Sequence, residues 1–153
     1  MLKTNIRYGG KKKMNKEIEK EAEYFDIIVG LLSEPFEYDS FVKTVFTAFI
    51  IKNCEPKVDK NVINLNLISK FMNNLRTQFF INYNDFNSIF KILRLLEDTS
   101  CIKIKDNTIF KKNISKEYIV QSNVFKISAV RKTILEIKKM SDKSFMEEVI
   151  RYV

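Results

Sequence analysis

The chain has 153 residues, 45% apolar and 30% charged, and its 27 Lys and Arg against 19 Asp and Glu give a formal net charge of +8. That size is one domain with enough chain to bury a core; the longest strongly apolar stretch, Val45 to Ile51, is too short for a bilayer, and with no secretory signal legible a cytoplasmic location and no membrane partner are expected. With no histidine, only Cys54 and Cys101, and glycine only at Gly9, Gly10 and Gly30, the chain lacks the parts for Ser-His-Asp or Cys-His catalysis, a His-containing or four-thiolate metal site, and a Walker or dinucleotide loop, so no catalytic residue, metal, cofactor or small-molecule substrate is expected.

The first 13 residues carry Lys3, Arg7, Lys11, Lys12 and Lys13 and no acid. Tyr8-Gly9-Gly10-Lys11-Lys12-Lys13-Met14 back-translates to a GGAGG run, an A-rich spacer and ATG, the layout of a bacterial ribosome-binding site. Residues 1–13 are therefore expected to be a leader or a disordered basic tail, with the working domain at 14–153. Without them 22 basic and 19 acidic residues remain, net +3. These are polarised: residues 14–60 hold 6 basic and 10 acidic residues, and residues 61–153 hold 16 and 9. An acidic front and a basic back suggest separate faces for different partners. The plainer reading is that 22 Lys against 5 Arg, with 20 Ile and 14 Asn, records AT-rich codons.

Residues 15–32 read as a helix. Asn15 is placed to cap it, Glu17 and Glu19 favour its positive end, and Ile18, Ala22, Phe25, Val29 and Leu32 recur on one stripe expected to face the core, with a seam for a partner helix as the alternative. Pro35 breaks it. Asp39 is the expected cap of a second helix running to about Asn53, whose Phe41, Val42, Val45, Phe46, Ala48, Phe49 and Ile50 cover most of its circumference and mark it as the central buried helix. Cys54 follows on its apolar end and Pro56 marks the stop; both cysteines read as reduced core thiols.

A polar loop at 57–61 leads to a third helix from Leu65 to about Thr77, with Ile68, Phe71, Met72 and Leu75 inward. Phe79-Phe80-Ile81 is too short to classify by period and admits a short strand, within a turn expected over 77–84. Asn84 or Asp85 then caps a helix with Phe86, Ile89, Phe90, Leu93 and Leu96 on one face and Asn87, Ser88, Lys91 and Arg94 on the other. Cys101 to Lys105 alternates with a period of two, Asp106-Asn107 suits a hairpin turn, and Thr108 to Lys112 returns with Ile109 opposite Ile104. Tyr118-Ile119-Val120 and Val124-Phe125 are short apolar runs. Ser128 is the expected cap of a helix to about Lys139 with Val130, Ile134 and Ile137 inward and Arg131, Lys132, Lys138 and Lys139 outward. Ser141 caps a last helix holding Phe145, Val149 and Val153.

The expected fold is mainly α with a small β-hairpin. Helix, polar turn, helix and lysine-edged hairpin is the order of a winged helix-turn-helix, whose helix before the hairpin enters the DNA major groove. On that reading Asn87, Ser88, Lys91 and Arg94 reach bases or phosphates, and Lys103, Lys105, Lys111 and Lys112 line the wing. The plainer reading is that outward helix and strand positions are polar anyway, and fold alone does not fix function.

A helix of the form Ile92-Leu93-Arg94-Leu95-Leu96 followed by a short Ile/Lys hairpin resembles the middle components of three-component ABC/SMC-type ATPase systems of bacteria, a group that includes Lamassu-type antiphage defence. The resemblance covers roughly residues 34–113. It implies a non-enzymatic adaptor joining protein subunits, among them an SMC-like ATPase, and carries over no catalytic residue. The alternative is a stand-alone winged-helix transcription regulator binding duplex DNA; a small enzyme is a third class, for which carboxylates such as Glu97 and Asp98 show no partners in chemistry.

Overall fold

A computed structural model describes the backbone of residues 2–54, 72–114 and 122–153, with side chains from residue 15 onward within those spans. Helix α1 (Leu2–Leu32) is followed by α2 (Phe41–Asn53), α3 (Leu75–Asn82), α4 (Asp85–Asp98), strands β1 (Ile102–Lys105) and β2 (Thr108–Lys111), a 3-10 turn (Asn123–Lys126), α5 (Ser128–Lys139) and α6 (Asp142–Tyr152). The described residues are thus mainly α with one antiparallel hairpin, as the periodicities imply. The loop at 57–61, Pro56, most of the helix read over 65–77 with Ile68 and Phe71, and Tyr118-Ile119-Val120 lie outside the described residues.

Several helix boundaries differ from the sequence reading. α1 runs through Asn15, which therefore lies inside the helix and caps nothing. Its stripe is also displaced. Tyr24, Ile27, Ile28 and Leu31 are fully buried along with Val29 and Leu32, whereas Ile18 and Ala22 are exposed and Phe25 is half-buried. Residues 79–81 are helical, and the expected turn over 77–84 shrinks to Tyr83-Asn84 between α3 and α4. The reason is the i, i+4 pair Leu75 and Phe79: Leu75 is buried, and Phe79 packs 4.9 Å from the ring of Phe49 and 5.7 Å from that of Phe86.

Caps divide in the same way. Ser40, one residue after the expected Asp39, caps α2 by accepting from the Lys43 amide. α5 starts after Ile127 with no side-chain cap, so Ser128 is its first residue and not its cap. Ser141 does cap α6, accepting from Ser144 N–H at 3.1 Å. Asn84 makes no capping bond, and Asp85 is used elsewhere, as described next.

α2 is the centre. Thr44, Ala48, Phe49 and Ile50 are buried along it, and α1, α3, α4, α5 and α6 all pack on it. A polar knot ties α1, α2 and α4 together on one side. The Asp85 carboxylate accepts from Lys20 Nζ at 2.9 Å, Tyr24 Oη–H at 2.5 Å and Asn53 Nδ2 at 3.1 Å, and Asn53 also donates to Tyr24 Oη and to the Phe49 carbonyl. Burial alone raises the pKa of Asp85, but the hydrogen bonds from Tyr24, Lys20 and Asn53 outweigh it and hold the carboxyl below its usual range. Burial and the adjacent carboxylate push the Tyr24 phenol far up, so it serves as a neutral donor.

On the opposite side a buried lysine does similar work. Lys43 of α2 reaches the last turn of α5 and donates to the carbonyls of Lys138, at 3.1 Å, and Met140, with Asp142 Oδ1 3.9 Å away. A cation at a helix C-terminus satisfies orphan carbonyls and meets the negative end of the helix dipole.

The hairpin pairs Ile102 with Lys111, Lys103 with Phe110, Ile104 with Ile109 and Lys105 with Thr108, the register expected from the alternation. At its turn Asp106 takes the left-handed φ of 56° and Asn107 does not. α4 ends in a Schellman motif: Cys101 N–H donates to Leu96 O and Ser100 N–H to Glu97 O, with Ser100 left-handed at φ 62°. Both cysteines are free. Burial pushes the Cys54 thiol up to about 12, while Cys101 is half-buried.

Candidate functional site

α4 presents Asn87, Lys91 and Arg94 to solvent, and these three with Phe90 line one shallow depression. Ser88 is half-buried at its edge. The face is not a free cationic surface. Lys91 is paired with Glu21 of α1 at 2.9 Å, and α4 as a whole carries Asp85, Glu97 and Asp98 against Lys91 and Arg94, a net charge of −1. An exposed pair of this kind contributes little to stability, but it lowers the local positive potential.

The four hairpin lysines do not share a face. Paired residues of an antiparallel ladder point to the same side. Lys103 and Lys105 therefore lie on the outer face with Thr108 and half-exposed Phe110, while Lys111 shares the inner face with Ile102, Ile104 and Ile109. Lys111 stands instead near Glu37, Asp39 and Lys138; partial burial, reinforced by repulsion from Lys138 and opposed by the two carboxylates, lowers its pKa. Lys112 follows at the strand end, its N–H bonded to Cys101 O.

The hairpin is also anchored at its tip. Asn107 accepts at its backbone carbonyl from Phe41 N–H and at Oδ1 from Val42 N–H, and its Nδ2 donates to Asp142. Outside the ladder, Ile109 N–H donates to Asp39 O at 2.7 Å and Ser40 bridges Thr108. The segment between α1 and α2 thus lies along the free edge of β2. On the other edge, Glu97 accepts from Ile104 N–H at 2.9 Å.

A feature that the sequence offered only as the alternative for the α1 stripe lies beside the expected DNA-reading face. Ile18, Ala22 and Phe25 of α1 and Ile92 and Leu95 of α4 form an open apolar groove, rimmed by Glu21, Lys91, Arg94 and Asp98. Ile18 is 60% and Leu95 51% exposed. The 4-3 spacing of Ile18, Ala22 and Phe25 is its signal in the sequence, but that spacing equally describes a core stripe. A second apolar surface, Phe80, Ile81 and Tyr83, lies on α3 and the turn after it. Among the described residues no group of His, Cys, Asp and Glu is placed to hold a metal ion, and no helix is long and apolar enough to cross a membrane.

Comparison with protein-family models, with characterised proteins and with solved structures finds no match to this chain.

Proposed function

We propose that the protein is a non-enzymatic adaptor that docks a partner subunit in the groove between α1 and α4. The observation that carries this reading is the groove itself. Large apolar side chains are left exposed where two helices already pack, and charges of both signs stand around them. A contiguous apolar strip with a polar rim suits the apolar face of a partner helix. The resemblance to the middle component of ABC/SMC-type ATPase systems supplies the class of partner, an SMC-like ATPase or its effector subunit.

The test is co-expression with the products of the neighbouring genes, followed by size-exclusion chromatography. Co-elution that is lost in Ile18→Glu/Leu95→Glu is the expected result. Survival of the complex in that variant, or a chain that elutes alone beside every neighbour, overturns the reading.

A second reading, a winged-helix regulator binding duplex DNA through α4, is favoured by the bridge from Ser40 to Thr108, which gives the hairpin a third edge segment ahead of α2. It requires DNA affinity that drops in Lys91→Ala/Arg94→Ala. The net −1 of α4 and the Glu21–Lys91 pair weigh against it.

A further inference from the structure

We propose that the outward face of α5 binds the phosphate backbone of duplex DNA. The charge that the sequence places in the second half of the chain is concentrated here. α5 carries Arg131, Lys132, Lys138 and Lys139 against Glu136 alone, a net charge of +3, compared with −1 for α4. All four cations are exposed. At 100° per residue Arg131, Leu135 and Lys138 form one row and Lys132, Glu136 and Lys139 the next, so the four cations form one ridge with Glu136 as the single carboxylate within it. From Arg131 to Lys138 the ridge runs about 10 Å along the helix axis.

The ridge is not internally neutralised. Among the described residues no carboxylate pairs with Lys132, Lys138 or Lys139; the ion pairs are elsewhere. Arg131 alone is engaged, donating Nη1–H to Phe125 O at 2.8 Å. Beneath the ridge the buried ammonium of Lys43 occupies the α5 C-terminus, where the helix dipole would otherwise disfavour an anion.

The chemistry of the ridge selects among polyanions. It presents point charges and a single half-exposed apolar side chain, Leu135 at 39%. A protein partner calls for an apolar, aromatic-rich centre, which the ridge lacks. A single nucleic-acid strand calls for aromatic platforms on which bases stack, and a membrane surface for an apolar helix face to insert. Lysines spaced along an exposed helix fit what a duplex backbone offers: closely spaced phosphates, contacted without base readout.

Fluorescence anisotropy of a short labelled duplex, titrated with the full chain between about 50 and 200 mM salt, tests this. Lys132→Ala/Lys138→Ala/Lys139→Ala is expected to weaken binding at least about tenfold at the low-salt end and to flatten the slope of log affinity against log salt by about 3. Glu136→Lys is expected to tighten binding and steepen that slope by about 1, a gain that a misfolded variant cannot mimic. Lys91→Ala/Arg94→Ala is expected to change affinity less than about twofold. The inference is overturned by no duplex binding at about 50 mM salt, by a triple variant that binds as the parent does, by a loss that tracks Lys91 and Arg94, by no gain in Glu136→Lys, or by polyglutamate, single-stranded DNA or anionic vesicles binding as tightly as the duplex. A chain that binds its protein partner but no duplex refutes this inference and leaves the adaptor reading standing.

Discussion

Replacing Asp85 by Ala probes the joint on which α1, α2 and α4 converge. The carboxylate is 3% exposed and accepts three hydrogen bonds. Its loss affects the three donors unequally. Lys20 is 40% exposed and turns to water at little cost. Asn53 keeps the Phe49 carbonyl as acceptor. Tyr24 is fully buried, and its hydroxyl proton loses the acceptor that the carboxylate provided. A buried bond to a charged group contributes roughly 1.5–3 kcal/mol, and an orphaned buried donor costs about 1–3 kcal/mol. Part of this is returned because the carboxylate no longer needs desolvating. The expected loss is about 3 kcal/mol, or a fall in melting temperature of about 6–12 °C for a domain of this size. Urea unfolding followed by circular dichroism measures it, with Tyr24→Phe and the double variant closing a cycle whose coupling should exceed about 1 kcal/mol. The pH dependence gives a second check. Because the folded pKa of Asp85 lies below its unfolded value of about 3.9, the stabilisation is complete above that value and is lost as pH falls through the folded pKa. The stability gap between the parent and Asp85→Asn should therefore be largest near neutral pH and narrow below about pH 4. A loss below about 1 kcal/mol in Asp85→Ala, or a gap that widens on acidification, refutes the reasoning.

Three further substitutions test separate joints. Lys43→Met keeps the packing of the stem but removes the donors on the Lys138 and Met140 carbonyls; chemical denaturation should show a loss of about 1–3 kcal/mol. Gly30→Ala would place Cβ 2.6 Å from the Phe125 ring, so the ring must swing or the 3-10 turn that carries it must shift, at a cost of about 1–3 kcal/mol, and Phe125→Leu in the same chain should recover part of it in a thermal melt. Ser100→Gly relieves the left-handed residue that ends α4 and should raise stability by up to about 1 kcal/mol, read as a rise in melting temperature.

The parts of this fold that follow from short-range periodicity were legible in the sequence. The hairpin register, the inward Val130, Ile134 and Ile137, and the cap at Ser141 each depend on residues within a turn or two. What was not legible depends on distant partners. A lysine in an apolar helix is expected to reach solvent, and only the approach of the α5 C-terminus makes a buried Lys43 favourable. Asp85 suits an N-cap by position, yet Tyr24 and Asn53, 61 and 32 residues away, offer stronger donors. The run at 79–81 is apolar on every side, so its period appears only once Phe79 is seen against Phe49 and Phe86. In α1 two apolar stripes adjoin, and the one the spacing picks out is buried at Val29 and Leu32 but at Ile18 and Ala22 edges the open groove beside α4. For the candidate site the residue types were legible, but their grouping was not. Lys103 and Lys111 look equivalent along the chain and fall on opposite faces of the ladder.

Asn107 makes the hairpin tip part of the first turn of a helix that begins 66 residues earlier in the chain. The amides of Phe41 and Val42, which open α2, find their acceptors on Asn107, and its own amide donates to Asp142. Fraying at the start of the central helix and opening of the hairpin are therefore one event rather than two. A load applied to the hairpin by a bound partner passes directly into α2, and from there to every helix that packs on it.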